Sequence, residues 1–330
     1  MPTIIEKLYQ TNLHGRGGAA FPTAKKWEIL LQQQSEKKYI IANGSEGEPY
    51  VYKDEYILTH HPEQLIKGIE IALKTIDKST AYLYLRTDYF DRFKASLEKH
   101  IGNLPITLFR ETSGYLGGEE TTLINTIEDA KVIQPRSKPP LPLISGLWNY
   151  PTLINNIETF YDVAQIDQGT YKETRLYSIT SEGEKKGVFE LPEHWTIQQV
   201  LEHTNMLPTF DFFTQIGGSA SGEILLSDEL NIPVTGSGAI IIYNKTTTDP
   251  FALMQRWLDF FFKENCDKCL PCREGVYRLR EMINTKNLNE SLLSDLFFTT
   301  QKTCFCPLGK SVHIPISSLL KKVCGVTITV

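Results

Sequence analysis

An α/β domain, a small mixed β module with one helix, and a C-terminal helical bundle are the architecture this sequence predicts. Three observations carry that expectation. The first half alternates short apolar runs with amphipathic stretches, which implies a layered α/β fold. Residues 170–245 hold short strands in quick succession around a single helical segment. All six cysteines, Cys266, Cys269, Cys272, Cys304, Cys306 and Cys324, fall in the last 65 residues of a 330-residue chain.

In the first region, "KKYIIANG" and "STAYLYLRT" read as strands, and "HPEQLIKGIEIALKTI" and "DYFDRFKASLEKHI" read as helices with apolar positions at three-and-four spacing. Glycine-rich turns stand at Gly15 to Gly18 and Gly114 to Gly118. In the second region, "TRLYSIT", "KGVFELP", "GEILLS" and "GAIIIYN" read as strands. The helix "TIQQVLEHT" lies between the second and third, with Thr196 as N-cap and Gln199 completing a capping box. One helix on a small mixed sheet predicts a β-grasp-like module. From about 250 the chain turns helical: "DPFALMQRWLDFFFKEN", "REGVYRLREMINT", "NESLLSDLFFTTQ" and "SVHIPISSLLKKV" predict a small bundle. The expected boundaries are 1–165, 166–247 and 248–330.

Composition narrows the function classes. With 34 Lys and Arg against 39 Asp and Glu, the net charge is -5, and no basic run supports nucleic-acid binding. No apolar stretch approaches the ~18 residues of a membrane span. No charged segment followed by an apolar run opens the chain, so no signal peptide and a cytoplasmic location are expected. The crowding of cysteines into one cap favours a metal or cluster site in a reducing compartment over a disulfide framework.

The stretch "CDKCLPC" places Cys266, Cys269 and Cys272 at C-x2-C-x2-C spacing. Such a tripod gathers three thiolates round one point and suits a cubane iron–sulfur cluster with a fourth thiolate from elsewhere. Zinc ribbons use two C-x2-C pairs, and a second pair is absent. Cys306, Cys304 and Cys324 are the candidates for the fourth ligand. Cys306 is the choice, because Pro307 and Gly309 beside it suit a bent loop. Cys304 and Cys324 are expected to be ordinary buried thiols. A helix starting near Arg273 would aim its N-terminal dipole at the site.

Three glycine loops converge on a second kind of chemistry. "GRGGAAFPTAKKW" offers backbone N–H groups and Lys26 to a phosphate, although Ala20 stands where a dinucleotide fingerprint has its third glycine. Taken alone, it fits a plain turn equally well. "NGSEGEPYVYKDEY" sets Asn43, Glu46 and Glu48 at the C-terminal end of a predicted strand, where open α/β sheets bind ligands. "SGYLGGEETTLINTIE" leads a third loop into a helix, with Glu119 and Glu120 at its start, where the helix dipole favours acids whatever their function.

These stretches, with "PRSKPPLPLISGLWNYPTLINNIET", "CDKCLPCREG" and "FCPLG", occur in one order over almost the whole chain. In them the chain resembles the NADH-binding flavoprotein subunit of respiratory complex I and its relatives in NAD-linked hydrogenases and formate dehydrogenases. The resemblance implies an FMN- and NADH-binding α/β domain, an SLBB-like β-grasp domain and a bundle carrying one [4Fe–4S] cluster. It places FMN at Gly15, Arg16, Gly17, Lys26, Asn43, Glu46, Gly118, Asn155 and Asn156. It places NADH at Phe21, Glu48, Tyr115, Glu120 and Lys138, and the cluster on Cys266, Cys269, Cys272 and Cys306. It implies a diaphorase-type enzyme: hydride passes from NADH to FMN, then single electrons pass to the cluster and to an iron–sulfur partner subunit. The family also shows an Asp where this chain has Ser45, a glycine at Tyr50, and aromatic residues at Leu141 and Ile29. These departures motivate a rival reading, an electron-wiring or scaffold subunit that has lost NADH turnover or is fed by NADPH or a protein donor. Base–aromatic stacking contributes about 1–3 kcal/mol per contact, so two lost rings would weaken the dinucleotide tens-fold or more.

Overall fold

The computed structural model describes residues 2–131 and 133–328. The chain divides into two compact units. One holds the residues up to Gly47 with Tyr52–Leu176; the other holds Glu48–Val51 with the residues from Tyr177 onward.

The first unit is built on a four-stranded parallel sheet: β1 (Lys38–Gly44), β2 (Ser79–Arg86), β3 (Ile106–Glu111) and β4 (Thr152–Asn156), in the order β3-β2-β1-β4. Ile40, Ile41 and Ala42 of β1 are wholly buried, which a central parallel strand covered by helices on its faces requires. The chain builds outward from β1 to β2 to β3, then returns to lay β4 on the other side of β1. Register pairs Ala42 with Asn155 and Asn43 with Asn156. The crevice at the C-terminal ends of β1 and β4 is therefore a topological switch point, the place where such sheets take ligands.

The helices Pro62–Thr75 and Thr87–Ile101 stand where the three-and-four spacing predicts them, within a residue or two. Gly68 lets Pro62–Thr75 lie directly on Ile157–Gln168, since a Cβ there would fall 1.8 Å from the Phe160 carbonyl oxygen. The loop after β1 is shorter than the sequence suggests, because Lys53–His60 is a helix.

The second unit carries a five-stranded mixed sheet. Its strands are β5 (Thr174–Ser181), β6 (Glu184–Pro192), β7 (Phe212–Ile216), β8 (Glu223–Leu226) and β9 (Ala239–Asn244), in the order β6-β5-β9-β7-β8. β5 and β9 run parallel, and β7 is antiparallel to both β8 and β9. The helix Ile197–His203 starts at the predicted Thr196 capping box. Strand β7 is not among the strands the sequence predicts. All five residues are buried, and its polar members are satisfied inside: Gln215 donates to the Gly222 carbonyl and accepts from the Tyr243 hydroxyl. A strand buried on both faces with internal polar bonds shows no alternation to read.

Four longer helices, Pro250–Lys263, Leu270–Asn284, Glu290–Thr303 and His313–Lys322, and the short Pro307–Ser311 form the C-terminal part. Asp249 caps the first, accepting from the Phe251 and Ala252 amides. The helix expected to begin near Arg273 begins at Leu270, so Cys269 is its N-cap and Cys272 sits in its first turn. Cys324, expected buried, is partly exposed. Among the described residues, no helix is long and apolar enough to cross a membrane.

Candidate functional site

At the switch point of the first unit the three glycine loops meet through side-chain hydrogen bonds. The Asn43 amide donates to the Gly118 carbonyl (2.9 Å), and the Asn156 amide donates to the Asn43 carbonyl (3.1 Å). A Cβ on Gly17 would lie 3.5 Å from the Asn156 Cβ, so the first loop rests on the end of β4. Lys26 donates to Glu120 and to the Ile154 carbonyl, both at 2.6 Å. Asn43, Asn156, Gly17, Gly118, Lys26 and Glu120 are thus brought together.

The first loop presents its backbone. Among the described residues, the Gly17 and Gly18 amides donate to no protein acceptor, and Gly18 takes φ +96, a conformation glycine adopts without strain. Gly15 is closed by its own amide on the Phe21 carbonyl, and the Phe21 ring is 41% exposed. On β4, Asn155 is buried and its side-chain oxygen has no partner among the described residues. A buried amide oxygen without a donor is costly. Together with the free loop amides, it fits a polar ligand such as a flavin phosphate and ring edge.

Arg16 is placed elsewhere. Its guanidinium is 2% exposed, paired with Asp162 at 2.9 Å, and bonded to the Tyr171 hydroxyl and the Thr174 carbonyl. Its amide donates to Thr159. The side chain ties the loop to the helix Ile157–Gln168 rather than facing a ligand. Lys138 donates to Glu119, which also accepts the Thr121 and Thr122 amides. Burial opposes the charge on Glu119, but the Thr121 hydroxyl, Lys138 and the Thr122 amide hold its carboxyl below the usual range. Tyr115 opens the short helix Tyr115–Gly118 against Gly47, where a Cβ would come within 2.9 Å of the Tyr115 Cα.

A charge network that sequence reasoning missed lies under this crevice. Lys53 bonds Asp54 (2.5 Å) and Asn156 (2.8 Å) and approaches Glu158 (3.4 Å), all buried or nearly so. Burial works against the Lys53 charge, yet Asp54, Glu158 and Glu46 together hold its pKa above the ordinary lysine range. Glu46 accepts the Asp54 amide and the Tyr89 hydroxyl. Burial and the Asp54 charge push its carboxyl up to about 7. The adjacent Lys-Asp pair was the available signal, but an opposite-charge pair in sequence does not reveal whether it is buried.

Glu48 belongs to the second unit. Its carboxylate accepts the Ala220 and Ser221 amides at 2.8 and 3.2 Å, and Gly218 leaves room for it. Tyr50 adopts φ +64, the left-handed backbone a glycine takes freely. Its ring lines a cavity of about 140 Å³ with Tyr243, Trp257 and Arg256.

In the C-terminal helices, Cys266, Cys272 and Cys306 each respond to neighbouring thiols. Burial, then the neighbouring Cys272 and Cys269, raise the Cys266 pKa. Cys306 is pushed up to about 11, chiefly by burial and partly by Cys266 and Cys272, while the Leu308 and Gly309 amides pull it down. Cys272 is raised first by a hydrogen bond with Cys304 and next by burial. Cys324 is raised by burial and then by Asp249, with no thiol neighbour acting on it. Among the described residues, no three His, Cys, Asp or Glu side chains surround a point fit for a single metal ion. The shared feature is a set of soft, mutually adjacent thiols. Cys269 and Cys306 are each the N-cap of a helix whose first turn begins with or contains proline. Partial positive charge at helix N-termini favours thiolate over thiol, and that donor set fits an iron–sulfur cluster.

A family model described as the Nuo51 FMN-binding domain matches residues 8–165, and one described as the NADH-ubiquinone oxidoreductase-F iron-sulfur binding region matches residues 252–323. An F subunit of the NADH-quinone oxidoreductase of Rhizobium meliloti (strain 1021) is 30% identical over 365 residues, covering 96% of this chain and 86% of its own. The F subunit of the Aquifex aeolicus (strain VF5) NADH-quinone oxidoreductase is 30% identical over 370 residues, covering 97% and 84%. A chain of an NAD+-reducing [NiFe]-hydrogenase crystallised in its H2-reduced state superposes with a TM-score of 0.88 at 25% identity. That match covers 96% of the present chain and 61% of the hydrogenase chain.

Proposed function

This chain belongs to the family of NADH-quinone oxidoreductase F subunits, and we propose on that premise that it is the electron-input subunit of a multi-subunit oxidoreductase. It takes hydride from NADH onto FMN and passes single electrons to a [4Fe–4S] cluster and a partner subunit. The observation that carries this reading is the meeting of three glycine loops at the switch point, at the end of the strand β4 that also holds the buried Asn155 oxygen without a donor.

FMN, when bound, supplies a ring that accepts hydride and releases electrons one at a time, so the protein need supply no general acid or base. The Gly17 and Gly18 amides, which have no protein acceptor among the described residues, would hold the phosphate. Lys26 adds positive charge while its bond to Glu120 holds it in place. Asn155 would accept a hydrogen bond from the flavin, and Asn43 and Asn156 would fix the loops that frame the site. Phe21, Tyr115, Glu120 and Lys138 flank the dinucleotide. Glu48 acts through the loop it caps, Gly218 to Ser221. Cys266, Cys269, Cys272 and Cys306 hold the cluster. The single helix on a mixed sheet with parallel β5 and β9 supports the SLBB-like β-grasp reading of the second region. The division into three regions is kept on that reading, with the first boundary moved from 165 to beyond the helix Ile157–Gln168. The location is cytoplasmic, or peripheral on the cytoplasmic face of a membrane complex.

The test is anaerobic purification with cofactor analysis. Stoichiometric FMN and about four irons with matching acid-labile sulfide are expected per chain, and NADH bleaches the flavin faster than NADPH does. One zinc without sulfide overturns the cluster. Bound flavin that neither nucleotide bleaches favours the rival wiring-subunit reading, which the left-handed Tyr50 and the exposed Leu141 motivate.

A further inference from the structure

We propose that Cys304, although not a ligand, donates a hydrogen bond from its S–H to the sulfur of Cys272 and so sets the potential of the cluster that the four other thiols hold. The inference rests on the cluster reading above and adds a fifth thiol to it.

Helix packing brings the two sulfurs together. The helices Leu270–Asn284 and Glu290–Thr303 touch where Gly275 meets Thr300, since a Cβ on Gly275 would lie 2.8 Å from the Thr300 Cγ2. Cys272 lies just under one turn before Gly275, and Cys304 just over one turn after Thr300. The close crossing therefore sets Cys304, the C-cap residue of its helix, beside the first turn of the other. Gly309 closes the notch: a Cβ there would come 2.6 Å from the Cys304 Sγ and 3.1 Å from the Cys272 Cβ. Cys304 and Cys272 are 4% and 3% exposed, so water does not compete for the contact. The Cys304 sulfur and Cys272 thus share one buried notch, and Cys304 acts on the Cys272 thiol across it.

As a ligand, Cys272 has lost its proton and is acceptor only. Cys304, outside the ligand set, is then the neighbouring S–H group placed to donate to it. An S–H is a weak donor, but a bond to an anionic sulfur is charge-assisted. Hydrogen bonds to ligand sulfurs favour the more negative, reduced state and raise the potential. Cys306 holds the ligand role because it neighbours both Cys266 and Cys272 and receives the Leu308 and Gly309 amides.

The full chain with its cofactors, purified anaerobically, is titrated electrochemically while the cluster is followed by electron paramagnetic resonance. In Cys304→Ala, iron and sulfide per chain stay at the unsubstituted level. The reduced-to-oxidised ratio at a fixed poise falls roughly threefold to tenfold, tenfold being 59 mV for a one-electron couple. Cys304→Ser, which keeps a donor, restores the ratio. Cys304→Thr and Cys304→Val are alike in volume and differ in the donor, so Val sits lower than Thr even if the alanine variant does not accumulate. Equal potentials across donor and non-donor variants overturn the inference alone. Loss of iron in Cys304→Ala with retention in Cys306→Ala also overturns it, by making Cys304 the ligand. Absence of acid-labile sulfide in the unsubstituted protein overturns the cluster reading beneath it.

Discussion

The glycine-loop crevice and the cysteine cap solve the same problem, holding a redox group, in opposite ways. The crevice is largely satisfied by the protein itself. Asn43 is bonded to Gly118, Asn156 to Asn43, Asp54 and Lys53, and Lys26 to Glu120. What it leaves over for a ligand, among the described residues, is the Asn155 oxygen and the amides of Gly17 and Gly18. In the cap, burial above all raises Cys266 and Cys306, while Cys304 first and burial next raise Cys272. A preformed cradle gains ordinary ligand-linked stability from its occupant. A cluster of thiols gains folding free energy from its metal, because the unfolded chain has no such site.

The strongest way to break that comparison is to empty the cap. Cys272→Ser should cost on the order of 10 kcal/mol, the scale of a structural metal site, and melt the helices around Leu270–Ser311 as read by circular dichroism. If helicity survives without iron, the cap is as preformed as the crevice. In the crevice, Arg16→Ala removes the guanidinium paired with the buried Asp162, so about 3–5 kcal/mol of stability should be lost, with flavin released as the loop comes free. A variant that keeps its stability and loses only flavin would return Arg16 to the ligand-contacting role expected of it.

Next comes pH. Glu46 is raised from 4.5 to about 7, so the unfolded chain gives up this proton before the folded one does. The contribution of Glu46 is fully present below about pH 4.5 and is lost as pH rises to about 7, on the order of 3 kcal/mol in all. Glu46→Gln should flatten that part of the stability profile in chemical denaturation across pH. An unchanged slope would mean that Glu46 is ionised in the fold. The smallest effect is expected at Leu141, which is 46% exposed. Leu141→Phe should tighten NADH by about 1 kcal/mol through base stacking, seen as a several-fold lower KM, with cluster content unchanged.

Much of this was legible in the chain. Cys266, Cys269, Cys272 and Cys306 announce themselves as candidates by spacing and by neighbouring Pro and Gly. Thr196 and Asp249 announce helix starts because capping is local chemistry. Strand β7 was not legible, because Thr214 and Gln215 are polar residues satisfied inside the sheet. The Lys53, Asp54, Glu46 and Glu158 network was not legible either, since it joins residues more than a hundred positions apart. The Arg16–Asp162 pair was not legible for a related reason, because Asp162 stands on a helix far along the sequence.

The sequence by itself determined the family, the helices with a clear apolar period, and the residue types that suit a flavin and a cluster, because spacing, capping and donor chemistry are local properties. Tertiary structure alone decided which polar groups remain for a ligand, which charges are spent on each other, and that Cys304 meets Cys272. Those outcomes depend on burial and on contacts between distant segments. A side chain's free energy is set by what surrounds it, and its sequence neighbours are only a small part of that.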